Sequence, residues 1–128
     1  MITVVVVAIL AAIAYPSFTA QVRQSRRSDA IEAISRVQQA QERWRANNAT
    51  YGTLTNLGLT LNCASSAGTL SSSGYYCLTV SGASGSGYTL TAAAVSGTSQ
   101  ASDTNCTSLV ATVTNGDAAN TPTGCWKK

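Results

Sequence analysis

Four cysteines carry the most specific chemistry in this sequence, and they could serve either a metal site or disulfide bonds. They are Cys63, Cys77, Cys106 and Cys125. Zinc sites built from cysteines usually hold two ligands only a few residues apart, and these four are more widely spaced. In a short chain whose N-terminus is typical of exported proteins, four cysteines favour two disulfides formed in an oxidising compartment. Three connectivities are open at this point.

Arginines are the second group, and they form the only concentration of charge. All six occur between residues 23 and 45, namely Arg23, Arg26, Arg27, Arg36, Arg43 and Arg45. A solvated helix face accounts for most such runs. The first three follow an apolar stretch, so they could instead lie at the level of membrane headgroups or contact DNA phosphates. They could also pair with Asp29 and Glu32 of a neighbouring chain.

The groups that most enzymes use are scarce. The sequence has no histidine and only five carboxylates, none of them clustered outside one predicted helix face. It also has no glycine-rich loop of the nucleotide-binding type. General acid and base catalysis needs titratable groups close together. We therefore expect no enzyme activity, no cofactor and no metal site.

A long helix opens the chain. Between Met1 and Ala14 the only polar residue is Thr3, and strong helix formers continue to Asn48. As a helix, residues 1–18 would be about 27 Å long, just short of a hydrocarbon core of roughly 30 Å. A cleaved signal sequence usually has a basic segment in front, and none is present. We therefore favour an anchor that is not cleaved and that continues into the rest of the helix. A plain transmembrane anchor, with no further role, is the remaining alternative.

Pro16 is the one residue in this stretch that disfavours a regular helix. It cannot donate a hydrogen bond to the Ala12 carbonyl, and its ring clashes with the preceding turn. We therefore predict a helix break, a kink or loosened turn between Ala12 and Pro16. Such a weak segment could stretch under load.

The second half of the helix is amphipathic. Positions on one helix face recur at steps of four and three residues, at Ala30, Ile34, Val37, Gln41 and Trp44, and most of them are apolar. Trp44 is expected to pack between helix and sheet, and the helix to end near Asn47 and Asn48.

Three strands are predicted after the helix. Residues 75–80 and 87–95 are rich in Tyr, Leu, Thr and Val and flank a Gly-Ser turn, so they read as an antiparallel hairpin. Residues 107–114 form a third strand that ends at Asn-Gly-Asp turn chemistry. Residues 49–74 are interpreted as a loop, and the residues beyond 117 as a short tail.

The predicted fold class is α+β, with one long N-terminal helix on a small antiparallel sheet. The apolar half of the helix protrudes and the amphipathic half packs. We divide the chain into a stalk, residues 1–24, and a head, residues 25–128.

The stalk sequence closely resembles the N-terminal helix of type IV pilins. The likeness is carried by the run Ile2-Thr3-Val4-Val5-Val6-Val7-Ala8-Ile9-Leu10-Ala11-Ala12-Ile13-Ala14-Tyr15-Pro16-Ser17. Further on, Tyr88 to Ala92, Cys106 and Gly124-Cys125-Trp126 are similar to the ending of PilE-like pilins. The resemblance implies that a basic leader ending in glycine and an FTLIEL-like stretch precede Met1 in the full-length protein. It also implies processing and methylation there.

In this family the apolar helices of many copies form the core of a filament. The residues that the resemblance assigns to the membrane before assembly and to the filament core afterwards are Ile2, Val4, Val5, Val6, Val7, Ala8, Ile9, Leu10, Ala11, Ala12, Ile13 and Tyr15. The expected partners are copies of the same chain, the inner membrane and the pilus assembly machinery, with DNA or host and abiotic surfaces as further candidates. The expected location is the bacterial cell surface.

For the disulfides we predict the pairs Cys63–Cys77 and Cys106–Cys125. Each pair joins a flexible segment to a nearby strand, and the second would pin the C-terminal tail, as the C-terminal disulfide loop of the family does.

The main expectation is a major pilin that polymerises for adhesion, twitching motility and DNA uptake. Two alternatives remain. One is a minor pilin that acts at the tip as a DNA receptor or adhesin, and the other is a type II secretion pseudopilin.

Overall fold

The computed structural model describes residues 2–64 and 67–127, so Met1, two residues of the predicted loop and Lys128 lie outside it. Helix α1 runs over Ile2–Arg45. Its first half is exposed on all sides, with Ile2 81% and Tyr15 72% accessible. It is long and apolar enough to cross a membrane, and no residue of its most apolar 18-residue window is buried. The predicted protruding helix is present.

α1 continues through Pro16, so the helix is not interrupted there, and the predicted kink between Ala12 and Pro16 stays a prediction. The hydroxyl of Thr19 donates a hydrogen bond to the Pro16 carbonyl at 3.0 Å. Proline removes one backbone donor, while the helical hydrogen bonds on both sides can hold the flanking turns together. Extension of this segment under load stays a prediction.

The second half of α1 packs against the sheet. Its buried positions are Ala30, Ala33, Ile34, Val37, Ala40 and Gln41. Three of these six are alanines, which let the helix backbone lie close to the strands. Gln41 is fully buried, and its amide is satisfied by the backbone of Gly52, donating to the carbonyl at 2.7 Å and accepting from the N–H at 2.9 Å. This pair ties the helix to the loop that follows it.

The sheet has five antiparallel strands in the order β1-β2-β3-β4-β5. Their bounds are β1 Thr69–Leu70, β2 Tyr76–Ser81, β3 Gly87–Ala94, β4 Ser108–Thr114 and β5 Asp117–Thr121. Short 3₁₀ turns cover Ser99–Ser102 and Thr123–Cys125. The three predicted strands are confirmed within one residue at each end, and the α+β class is confirmed.

Two strands were missed. β1 has only two residues, and it lies in the segment predicted to be a loop. β5 lies in the predicted tail, and all five of its residues are exposed, so no alternation of apolar and polar residues marks it. Asn115 and Gly116 join β4 to β5 with φ angles of 52° and 90°, the left-handed conformation that a two-residue hairpin turn requires. The Asn115-Gly116 pair was the feature of the sequence that could have predicted a hairpin from β4 into β5.

The core lies between α1 and the inner face of the sheet. Ile34, Leu78, Leu90 and Leu109 are at most 1% exposed. Burying each such side chain contributes about 1.5–3 kcal/mol relative to water, as an upper estimate. On β4, Leu109, Ala111 and Val113 face the core, as their alternation predicts.

Two disulfides close the head, Cys63–Cys77 and Cys106–Cys125. These are the pairs predicted from the sequence. The first joins the loop after α1 to β2, and the second joins the end of the β3–β4 connection to the 3₁₀ turn after β5. Loops of 14 and 19 residues constrain the unfolded chain by about 3 kcal/mol each in the entropy model.

Candidate nucleic-acid interface

The head has two ends with different chemistry. The C-terminus of α1, the β2–β3 turn and the β4–β5 turn meet at the end remote from the stalk, here called the distal end. Arg45 Nη2 donates to the Gly85 carbonyl at 3.2 Å, and the Asn115 N–H donates to the Ser86 carbonyl at 2.6 Å. The β1–β2 turn and the β3–β4 connection lie at the stalk-proximal end. The six arginines are divided between these ends and the helix face between them.

Arg27, predicted to contact a neighbour or phosphate, is committed to the fold instead. Its guanidinium donates to both carboxylate oxygens of Asp103, at 2.7 and 2.8 Å. Asp103 is 4% exposed, and the hydrogen bond to it raises the pKa of Arg27. A bidentate, largely buried pair of this kind is not available to an external anion.

Arg26 and Arg23 also hold the head together. The Arg26 guanidinium donates to the Ser99 hydroxyl and lies 4.5 Å from the centre of the Tyr75 ring. The backbone carbonyl of Arg23 accepts a hydrogen bond from the buried side chain of Gln100 at 3.2 Å. Both contacts fix the β3–β4 connection against α1, and contacts of the Arg23 and Arg26 side chains with a neighbouring chain or with phosphate stay predictions.

The two predicted acidic contacts have partners within the chain. Asp29 Oδ1 accepts from the Ser73 N–H at 3.1 Å, and its second oxygen is buried with no partner among the described residues. Glu32 pairs with Arg36 at 2.9 Å on the exposed helix surface. The structure therefore does not bring the five predicted charged residues together into one site.

Arg45 organises the distal end. It donates to the Asn48 carbonyl at 2.8 Å as well as to Gly85, and its guanidinium lies 5.5 Å from the Tyr51 ring centre. Tyr51 in turn packs against Tyr88, with ring centroids 4.8 Å apart. This chain of contacts joins the helix end, the following loop and the β2–β3 turn into one unit.

Tyr88 should make the stability of the head depend on pH. Burial raises the pKa of its hydroxyl to about 12, and the charge of Glu42 adds to the rise. The unfolded chain ionises near pH 10 and the folded chain does not, so the free energy of unfolding should decrease between pH 10 and 12. Urea unfolding across this range should show that decrease, and a smaller one in Tyr88→Phe. Identical profiles for both proteins would contradict this assignment.

Arg36 and Arg43 are the exposed arginines of α1, and together they are called the basic edge. They lie seven residues apart on one helix face, about 10 Å along the axis. Each lines a cleft between α1 and the αβ-loop, residues 46–68. That loop contains no charged residue. An anion approaching from this side therefore meets Arg43, which forms no salt bridge among the described residues, and Arg36, which is paired with the exposed Glu32, beside a neutral loop.

The cleft at Arg43 is the larger of the two. This groove has a volume of about 380 Å³ and is lined by Trp44 and three asparagines, Asn47, Asn48 and Asn56, among others. Trp44 was predicted to pack between helix and sheet. Instead its pyrrole edge faces Gly52 of the αβ-loop, and its Nε1 is buried with no hydrogen-bond partner among the described residues.

The basic edge was not predicted, because the arginines nearest the stalk form the denser cluster in the sequence. Those residues are clustered in sequence, but their partners, such as Asp103, come from distant segments. The seven-residue spacing of Arg36 and Arg43 was the signal that could have identified the exposed pair.

The matching family model is described as type IV minor pilin ComP, DNA uptake sequence receptor, and the match spans residues 16–110. No curated protein and no solved structure gives a significant match. The finer likeness to PilE-like pilins stays a prediction. Since the match covers more than half of the 128 residues and the fold is a long helix on an antiparallel sheet, the chain belongs to the ComP family of type IV minor pilins.

Proposed function

We propose that this chain is a minor pilin whose head binds duplex DNA through the basic edge. The observation that carries the proposal is the exposed pair Arg36 and Arg43 beside a loop without charges, in a member of a family described as a DNA uptake sequence receptor. This was the alternative expectation, and the family description favours it over the major pilin.

The charge distribution supports the basic edge as the contact surface. Arginine binds phosphate with a planar fork of donors. Arg43 forms no salt bridge among the described residues, and the exposed pair of Arg36 with Glu32 is weak enough to exchange for a phosphate, whereas Arg27 is held by the buried Asp103. The carboxylate of Asp103 is neutralised within the head, and Asp117 lies in the β4–β5 hairpin. Glu32 and Glu42 are exposed on α1 and weaken the positive potential of the basic edge without removing the charge of Arg43. Two phosphate contacts give weak binding that is sensitive to salt.

The stalk would attach the head to a membrane or to a filament. An exposed apolar helix of this length needs lipid or other apolar helices around it, so the protein would lie in the inner membrane before assembly and in a pilus afterwards. We propose that it acts by binding and assembly and not by catalysis. Whether the filament consists mainly of this chain can be measured by its mass fraction in sheared surface fibres, which should be small for a minor pilin.

DNA binding by purified full-length protein in neutral detergent micelles tests the proposal. The measurement is the fluorescence anisotropy of a labelled duplex. At roughly 1 kcal/mol for each exposed charged contact, the double variant R36Q/R43Q should bind about thirtyfold more weakly than the wild type.

Lys127→Gln is the matched control, since it removes one exposed cation near the C-terminus, outside both α1 and the αβ-loop. Each single variant of the basic edge should weaken binding about fivefold, and Lys127→Gln less than twofold. Equal losses for all three would show that binding follows net charge and not the basic edge. A wild-type protein that binds no duplex would overturn the function.

A further inference from the structure

We propose that the groove beside Arg43 binds one nucleotide of single-stranded DNA, with the phosphate on Arg43 and the base on Trp44. This inference rests on the proposed DNA-binding function and goes further, because it assigns a second, single-strand contact next to the duplex contact. The site would hold a strand end or an unpaired nucleotide.

The size of the groove fits such a ligand. A volume of about 380 Å³ lies at the lower end of the range for small-molecule sites, which is appropriate for one nucleotide and too small for a base pair with its backbone. One wall is the last turns of α1 and the other is the αβ-loop. A paired base inside a duplex could not enter a cleft of this kind.

The charge of the groove selects an anion. Arg43 is the one charged residue among the described residues that line it, and it forms no salt bridge within the described part of the chain. A neutral sugar would leave this guanidinium unused, whereas a phosphodiester would pair with it. The ligand therefore carries a negative group.

Trp44 provides the aromatic surface. Its indole makes no hydrogen bond within the described residues, so packing alone holds the ring at the groove. Stacking of a base on an aromatic side chain contributes about 1–3 kcal/mol and tolerates all four bases. An aromatic residue directly next to a free arginine is the combination that single-strand sites use.

The asparagines of the groove supply polar groups around the Trp44 ring. Asn48 is committed, because its amide donates to the Trp44 carbonyl at 2.9 Å. The side-chain oxygen of Asn56 accepts from the N–H and hydroxyl of Thr53, which leaves its amide hydrogens for a ligand. Asn47 is exposed at the rim. These amides can donate to sugar or base oxygens.

Tryptophan fluorescence gives a direct test. In the background Trp126→Phe, Trp44 is the sole tryptophan, and a short oligothymidylate should quench its emission in a saturable way. Arg43→Gln in this background should weaken binding about fivefold or more, and Lys127→Gln less than twofold.

A second variant separates stacking from charge. Trp44→Leu keeps an apolar side chain against Gly52 but removes the aromatic face, so the anisotropy of labelled oligothymidylate should show at least tenfold weaker binding. Thermal unfolding by circular dichroism checks that the variant is folded, and Trp44→Met, which also lacks an aromatic face, repeats the comparison if the leucine variant is not.

The outcomes distinguish the two proposals. If duplex binding depends on the basic edge but oligothymidylate neither quenches Trp44 nor binds, the single-strand site is wrong and the DNA-binding function stands. If neither DNA binds, both are wrong. Quenching that is unchanged by Arg43→Gln would also overturn the assigned site.

Discussion

Replacing Gly87 by alanine should destabilise the head by about 3 kcal/mol or more. Gly87 is buried at the start of β3, where it pairs with Thr114 of β4. A Cβ atom at this position would collide with the Val113 carbonyl and would lie 3.2 Å from the Thr114 Cα. These are backbone atoms within a paired ladder, so they cannot move aside without breaking strand hydrogen bonds. The β3–β4 pairing would open at the distal end.

Urea unfolding followed by circular dichroism in neutral detergent measures this loss. Gly124→Ala is the matched control, because a Cβ there would meet nothing within 4 Å. The control should change the free energy of unfolding by less than about 0.5 kcal/mol. Equal stability of the two variants would show that the close β3–β4 approach is incorrect.

Asp103→Ala should lower the free energy of unfolding of the head by about 3 kcal/mol. The side chains of Arg27 and Asp103 are 17% and 6% exposed, and the pair joins α1 to the β3–β4 connection. Asp103→Ala leaves the guanidinium partly buried without its partner, and breaking a buried pair from one side costs about 3–5 kcal/mol. The lower end applies here because Arg27 keeps some contact with water.

Glu32→Ala provides the comparison. Its pair with Arg36 has side chains 71% and 55% exposed, and such surface pairs contribute about 0–1 kcal/mol. Urea unfolding should therefore separate the two variants clearly. If Asp103→Ala were no more destabilising than Glu32→Ala, the Arg27–Asp103 pair would not be holding the junction.

The helix and most of the sheet could be predicted because their signals are local. The step of three and four residues from Ala30 to Val37 marks the buried face of α1, and alternation on β4 marks its inner face. β5 could not be found in this way, since all of its residues are exposed and it depends on β4 for its pairing.

The role of each arginine could not be predicted from the sequence. Arg27 meets Asp103 across 76 residues of chain, and the clustering of Arg27 with Arg23 and Arg26 gives no sign of it. Exposure of an arginine depends on which distant partner the fold brings to it. For the same reason Trp44 was expected on the sheet side of α1, although it contacts the αβ-loop.

The salt dependence of duplex binding tests the central claim most directly. Each phosphate contact contributes about −0.9 to the slope of log K against log salt concentration. If Arg36 and Arg43 make the contacts, the slope for R36Q/R43Q should be shallower than that of the wild type by about 1.8. Equal slopes for the two proteins would contradict the account, because DNA would then be held by other residues.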